Sequence, residues 1–147
     1  MPQIVVNLGS GRTPKTANHI LVDRIPYPEV DIVHDLEVYP WPLEDNCCDC
    51  IVANHLLEHL HDTCAFMDEC WRILRPGGVL HIEVPDAAYP KYAWSDPTHV
   101  RPFTRWTWDY FTKAGLAKRA YAQHAWRIIL RKCDGKAIKV DLIPEDK

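Results

Sequence analysis

The stretch "DCIVANHLLEHL", Asp49 to Leu60, decides the fold, because an apolar run that a strand would bury passes straight into a segment with the character of a helix start. Farther on, "ILRPGGVLHIEVP", Ile73 to Pro85, stops a helix at Pro76-Gly77-Gly78 and opens another apolar run, Val79 to Val84. Strand, helix, glycine turn and strand at this spacing describe a crossover within a parallel sheet. The spacing predicts a helix N-capped by Asp62, with Phe66, Met67, Cys70, Trp71 and Leu74 covering one face.

Upstream, Ile4 to Leu8 is a buried strand ending in the tight turn Gly9-Ser10-Gly11. A second strand, His19 to Asp23, follows too soon for a full crossover helix, so the first connection is a loop or a single turn. Val30 to Asp35 reads as a third strand. The segment "VYPWPLED", Val38 to Asp45, is too rich in proline for regular structure and must cross the sheet as a loop. Downstream, residues 85–103 form an elaborated loop and Thr104 caps a helix containing Trp108 and Phe111. The chain then turns at Cys133-Asp134-Gly135-Lys136 between Trp126–Arg131 and Ile138–Leu142, an antiparallel hairpin.

The 147 residues suit one domain, 1–147, and 47% hydrophobic with 25% charged residues is ordinary for a soluble protein. With no apolar run of about 18 residues and no leader pattern, the expectation is a cytoplasmic protein without membrane association. Six cysteines lack paired C-x-x-C spacing and are expected as reduced, mostly buried thiols. Residues 1–100 carry 6 Lys and Arg against 15 Asp and Glu, whereas residues 101–147 carry 11 against 5. A solvated basic face accounts for this better than a nucleic-acid surface.

The element order resembles that of the class I S-adenosylmethionine-dependent methyltransferases, and the motifs agree. "VVNLGSG" is similar to the family's first motif, "LVDR" ends like its second strand, and "HDLE" resembles the segment after its third. "DCIVANHLLEHL" with "ILRPGGVLHIEVP" resembles its block from fourth to fifth strand. The match runs from residue 4 to about 111, and the hairpin extends it to about 143. The short first connection and "DPTHVRPFT" (96–104) resemble small bacterial and phage members related to the type 11 methyltransferases. The implied fold is an α/β Rossmann-like sandwich with sheet order 3-2-1-4-5-7-6, a terminal antiparallel hairpin and a reduced or absent first crossover helix.

The implied cofactor is S-adenosylmethionine. Gly9, Ser10 and Gly11 would bring main-chain N–H groups to it, unless they form only a plain turn. Asp23, at a strand's carboxyl end, would accept the ribose hydroxyls, or else is a surface acid. Asp35 would take the adenine amine and the Leu36 N–H would meet the ring, the alternative being that Asp35 merely caps the loop turn. Asn54 and His55 would lie near the sulfonium. Asn7 stands where many members carry an acid that helps hold the methionine amino group.

"HLLEH", His55 to His59, also fits the H-x-x-E-H zinc peptidase pattern, in which two histidines four apart on a helix ligate metal. Its position after a parallel strand argues against a peptidase. A second metal reading rests on methyltransferases with an E-x-x-E-H cluster, which here would enlist His55, Glu58, His59 and His99, a set suited to zinc or another transition metal. Read from lettering alone, a divalent metal is not expected, and Glu58 and His59 serve as hydrogen-bonding groups at the helix start. His61, His81 and His124 have no evident partner.

Tyr89, Tyr92 and Trp94 follow the fifth strand, where they would wall a planar methyl acceptor with Arg101 as an anion partner, or form only a lid. His59 and His99 are the candidate general bases, expected to converge within about 10 Å. The reaction implied is methyl transfer to an oxygen, nitrogen or carbon nucleophile on a small or macromolecular acceptor. The alternative is a non-catalytic binding module with the same fold.

Overall fold

The computed structural model describes residues 2–147 and places seven strands in one mixed sheet of order β3-β2-β1-β4-β5-β7-β6, the order expected. The strands are β1 Val5–Leu8, β2 His19–Asp23, β3 Ile32–Val33, β4 Cys48–Asn54, β5 Leu74–Pro85, β6 Trp126–Cys133 and β7 Ala137–Pro144. Strands β1 to β5 pair in parallel, and β7 joins both β5 and β6 antiparallel. Three helices complete it, α1 Thr63–Ile73, α2 Pro90–Ala93 and α3 Lys113–Arg119. Among the described residues no helix is long and apolar enough to cross a membrane.

Side chains alternate across a strand, so the register sorts the core. Val6 and Leu8 share a face with Val22, Ile51, Ala53, Leu80, Ile82 and Val140, and all join one buried cluster with Phe66, Met67, Cys70 and Ile73 of α1. The opposite face carries half-buried Val5, Asn7 and Val52, together with the cross-strand pairs His81–Asp141 (2.6 Å) and Glu83–Lys139 (3.6 Å). No helix lies between β1 and β2 or between β2 and β3, which leaves that second face without a helical layer among the described residues.

Three expectations change. The third strand shrinks to two residues, because the Asp31 carboxylate turns back to accept the Leu21 N–H at 2.8 Å and Val38 N–H closes a turn on the Asp35 carbonyl. Helix α1 gives way at Leu74, which is already extended and paired with Cys48; Arg75 to Gly78 then bulge out before pairing resumes at Cys50–Val79. Gly77 supplies the positive φ of 78° that this bulge requires. Finally, Thr104 caps no helix: its N–H goes to Thr107 Oγ1, and Thr107–Phe111 is a 3-10 turn. The helix starts afresh at α3, capped by Thr112 Oγ1, which accepts the Gly115 N–H at 3.2 Å.

Two aspartates tie strand starts together. Asp31 accepts from Leu21 N–H and Lys15, and Asp49 accepts from Ile4 N–H at 2.8 Å and from Arg75 at 2.9 Å. Both carboxyls are held below the ordinary aspartate range, Asp31 first by the Leu21 N–H and Asp49 first by the Ile4 N–H, with the neighbouring cation second. The folded chain therefore binds these protons less readily than the unfolded chain. Their stabilisation is complete above about pH 4 and is lost as pH falls through the folded values. Thermal melts from pH 6 down to pH 3 should show Tm falling at the acid end, with a shallower fall in Asp31→Asn and Asp49→Asn. An unchanged slope in both variants would remove these groups from the acid limb.

Candidate functional site

Parallel strands deliver their carboxyl ends to one edge of a sheet, and there β1, β2 and β4 release the segments that line a cavity of about 300 Å³. Gly9 follows β1 with φ 66°, a conformation that favours glycine, and a Cβ there would also press on Leu56 Cδ1 at 3.0 Å. The Asp23 carboxylate accepts Gly11 N–H at 2.8 Å and Ile25 N–H at 2.9 Å, which locks the glycine turn to β2. Each carboxylate oxygen keeps a second acceptor position, and Asp23 lines the cavity.

On the far wall, Asp35 accepts the Glu37 N–H at 3.0 Å, so it does cap its own loop turn while also lining the cavity. The neighbouring Leu36 N–H finds no acceptor among the described residues. Its carbonyl accepts Trp41 Nε1–H at 3.0 Å, and the Trp41 ring stands edge-on to Phe66 of α1, with centroids 5.5 Å apart. A core aromatic thus holds the proline-rich loop that carries Asp35 and Leu36. A nucleoside fits these groups, because the lining combines the Asp23 and Asp35 carboxylates, the free Leu36 backbone donor and apolar Ile25 and Leu60.

The rest of the expected cofactor set lies elsewhere. Gly11 N–H is spent on Asp23 and Ser10 N–H on Val22, while Ser10 Oγ is buried without a partner. Asn7 points to the helix-free face and exposed Asn54 ends β4, and neither lines the cavity. Both are placed by strand alternation, which a sequence shows without showing which face is covered.

"HLLEH" is not a continuous helix. His55 has φ 51°, a left-handed conformation outside any helix, and only Leu57–His59 make a 3-10 turn. The His55 ring lies 3.4 Å from Glu58 Oε1 through Nδ1 and 3.1 Å from Glu83 Oε1 through Nε2. These carboxylates, Glu58 first, raise its pKa. With His55 and His59 on no common helix face, the peptidase arrangement is absent. Instead His59 meets His99, ring centroids 4.9 Å apart, although they are separated by 39 intervening residues.

Those imidazoles line, with Glu58, Glu83 and Tyr92, a second cavity of about 470 Å³ that shares His55 and His59 with the first. "DPTH" builds this junction. Asp96 Oδ1 accepts from Thr98 N–H at 2.8 Å and from its hydroxyl at 2.6 Å, so Thr98 Oγ1 faces His59 Nδ1 as an acceptor at 3.1 Å. His99 Nδ1 donates to the Ala93 carbonyl at 3.0 Å. Of the expected acceptor residues only Tyr92 lines this cavity. The Tyr89 ring lies against Gly135, and exposed Trp94 donates Nε1–H to the Ala87 carbonyl. Arg101 lies over Phe103, 4.8 Å from the ring, and does not line this cavity.

Several lining residues escaped sequence reasoning. Thr98 was legible as part of a D-P-T-H turn, but Asp134, Lys136 and Ala137 reach the second cavity only because the terminal hairpin folds back beside β5. The three histidines without an evident partner all have one. His61 Nδ1 pairs with Glu37 at 2.8 Å, His81 with Asp141 at 2.6 Å, and the His124 ring stacks on Trp71 with centroids 3.9 Å apart. All three pairs cross long sequence gaps.

Comparison with known proteins points the same way. A family model described as a methyltransferase domain matches residues 15–82. Over 63 residues the chain is 43% identical to a probable S-adenosylmethionine-dependent methyltransferase of Mycolicibacterium smegmatis, covering 43% of this chain and 24% of that protein. Over 103 residues it is 30% identical to a 37.1 kDa protein in transposon TN4556 of Streptomyces fradiae, covering 70% of this chain and 29% of the relative. The chain thus spans between 24% and 29% of these relatives' length. The solved structure of the YcgJ protein from Bacillus subtilis superposes with a TM-score of 0.68 over 99% of this chain and 93% of that one, at 16% identity, which is a likeness of fold.

Proposed function

We propose that the chain is a class I S-adenosylmethionine-dependent methyltransferase that transfers the methyl group of S-adenosylmethionine to an oxygen, nitrogen or carbon nucleophile held in the second cavity. The observation that carries this reading is the meeting of two cavities at His55 and His59, one with nucleoside-binding groups and one with free imidazole nitrogens.

Asp23 would hold the ribose hydroxyls and Leu36 N–H the adenine ring, with Asp35 beside it. When bound, the cofactor supplies a methyl carbon made electrophilic by its sulfonium. The protein supplies alignment and a proton acceptor. His59 and His99 both have Nδ1 committed to acceptors on the protein, so in each neutral ring Nε2 carries the lone pair, and both residues line the cavity with Asp96, whose Oδ2 lies 3.7 Å from His99 Nε2. In the metal-free protein, either Nε2 can take the proton of an acceptor hydroxyl or amine.

Incubation with isotope-labelled S-adenosylmethionine and a lysate or metabolite pool should give labelled product and stoichiometric S-adenosylhomocysteine. Saturable cofactor binding without any transfer across such pools would instead favour a non-catalytic binding module.

A further inference from the structure

The geometry points to a divalent transition-metal site, best suited to zinc, formed by Glu58, His59 and His99 at the mouth of the acceptor cavity. One ligand atom from each residue lies within 4.8 Å of the others. Zinc ligands about 2.0–2.1 Å from a tetrahedral ion stand roughly 3.4 Å apart, so loading from separations of up to 4.8 Å requires a closure of up to about 1.4 Å, within reach of small side-chain rotations.

Three independent features favour a cation over a chance cluster. Glu58 is buried, 2% exposed, yet its Oε2 has no hydrogen-bond partner, an arrangement whose cost a cation would offset. Both imidazoles donate Nδ1–H to protein acceptors, His99 to the Ala93 carbonyl and His59 to Thr98, so in each neutral ring Nε2 is the nitrogen that carries the lone pair zinc binding requires, with Asp96 Oδ2 3.7 Å from His99 Nε2. His55 reaches the other Glu58 oxygen at 3.4 Å, so it orients the carboxylate rather than ligating.

Two neutral imidazoles and one carboxylate suit zinc or a late first-row ion better than magnesium, which prefers oxygen ligands. Three protein ligands leave a fourth position open toward the acceptor cavity, where a bound oxygen or nitrogen would release its proton to solvent water more readily. In the loaded protein the two imidazoles hold metal and no longer take that proton. The site uses the acceptor cavity but does not depend on methyl transfer, because metal binding is read without cofactor or acceptor.

Chelator-treated protein titrated with zinc chloride should bind one equivalent with a dissociation constant in the micromolar range or tighter. Cobalt(II) chloride in its place should give visible absorption of a four-coordinate N,O site. His59→Gln and His99→Gln should each weaken zinc binding by more than about a hundredfold, beyond the ten- to hundredfold typical of residues that only orient ligands. Glu58→Gln should lose the cobalt absorption. His61→Ala, which alters an exposed histidine paired with Glu37, should leave both signals unchanged. Thermal melts and S-adenosylhomocysteine titration of each variant check folding. No saturable zinc binding below about 100 µM, or binding retained in both His59→Gln and His99→Gln when these variants are folded, would overturn the site while leaving the methyltransferase reading intact.

Discussion

Asp23→Ala should weaken S-adenosylmethionine and S-adenosylhomocysteine binding by roughly a hundredfold or more. Two hydrogen bonds from ribose hydroxyls to a carboxylate are worth about 1.5–3 kcal/mol each, and about 1.4 kcal/mol is a factor of ten. The loss compounds, because Asp23 also holds Gly11 N–H at 2.8 Å and Ile25 N–H at 2.9 Å, and both cavity walls loosen without it. Asp23→Asn keeps one acceptor oxygen and should fall between the two. Calorimetry on folded variants decides the matter. An affinity within about threefold of the parent would place the ribose elsewhere and unseat the assignment of the first cavity.

Phe66→Ala should cost about 3–5 kcal/mol, since Phe66 is fully buried in the cluster beneath β1 and β4 and its loss opens a cavity. For a chain of this length that corresponds to a drop in Tm of roughly 10–15 °C. The same substitution removes the edge-on support of Trp41, which anchors the Leu36 carbonyl, so cofactor affinity should fall along with stability. Phe66→Leu, which refills most of the space, should recover stability before it recovers affinity. A Tm within about 3 °C of the parent in Phe66→Ala would mean that the pocket repacks, and affinity then should not change.

The order of strands, the crossover through α1 and the terminal hairpin were legible in the sequence. Apolar runs separated by Gly9-Ser10-Gly11, Pro76-Gly77-Gly78 and Asp134-Gly135 specify strand, turn and strand through local chemistry alone, and parallel crossovers obey one handedness. Element ends were less legible. Asp31 shortens β3 by offering its carboxylate to a backbone donor, and Leu74 leaves the helix to pair with Cys48, both of them long-range competitions that periodicity does not record.

At the site, the sequence marked the ends of strands, and with them Gly9, Asp23, Asp35 and His55, because chain direction alone brings carboxyl ends to one edge. Only the tertiary structure decided which side chains share a cavity. It turned Arg101 over Phe103, set Asn7 on the helix-free face, and brought Asp134 and Lys136 beside Tyr92. It also resolved "HLLEH", whose five letters fit a helix until the left-handed turn at His55 breaks it and "DPTH" places His99 4.9 Å from His59. Which residues meet across 40 positions depends on how two loops close over one sheet edge, and that closure is set by contacts such as Thr98 to His59 and Val100 to Glu58, each made between residues that local sequence treats as unrelated.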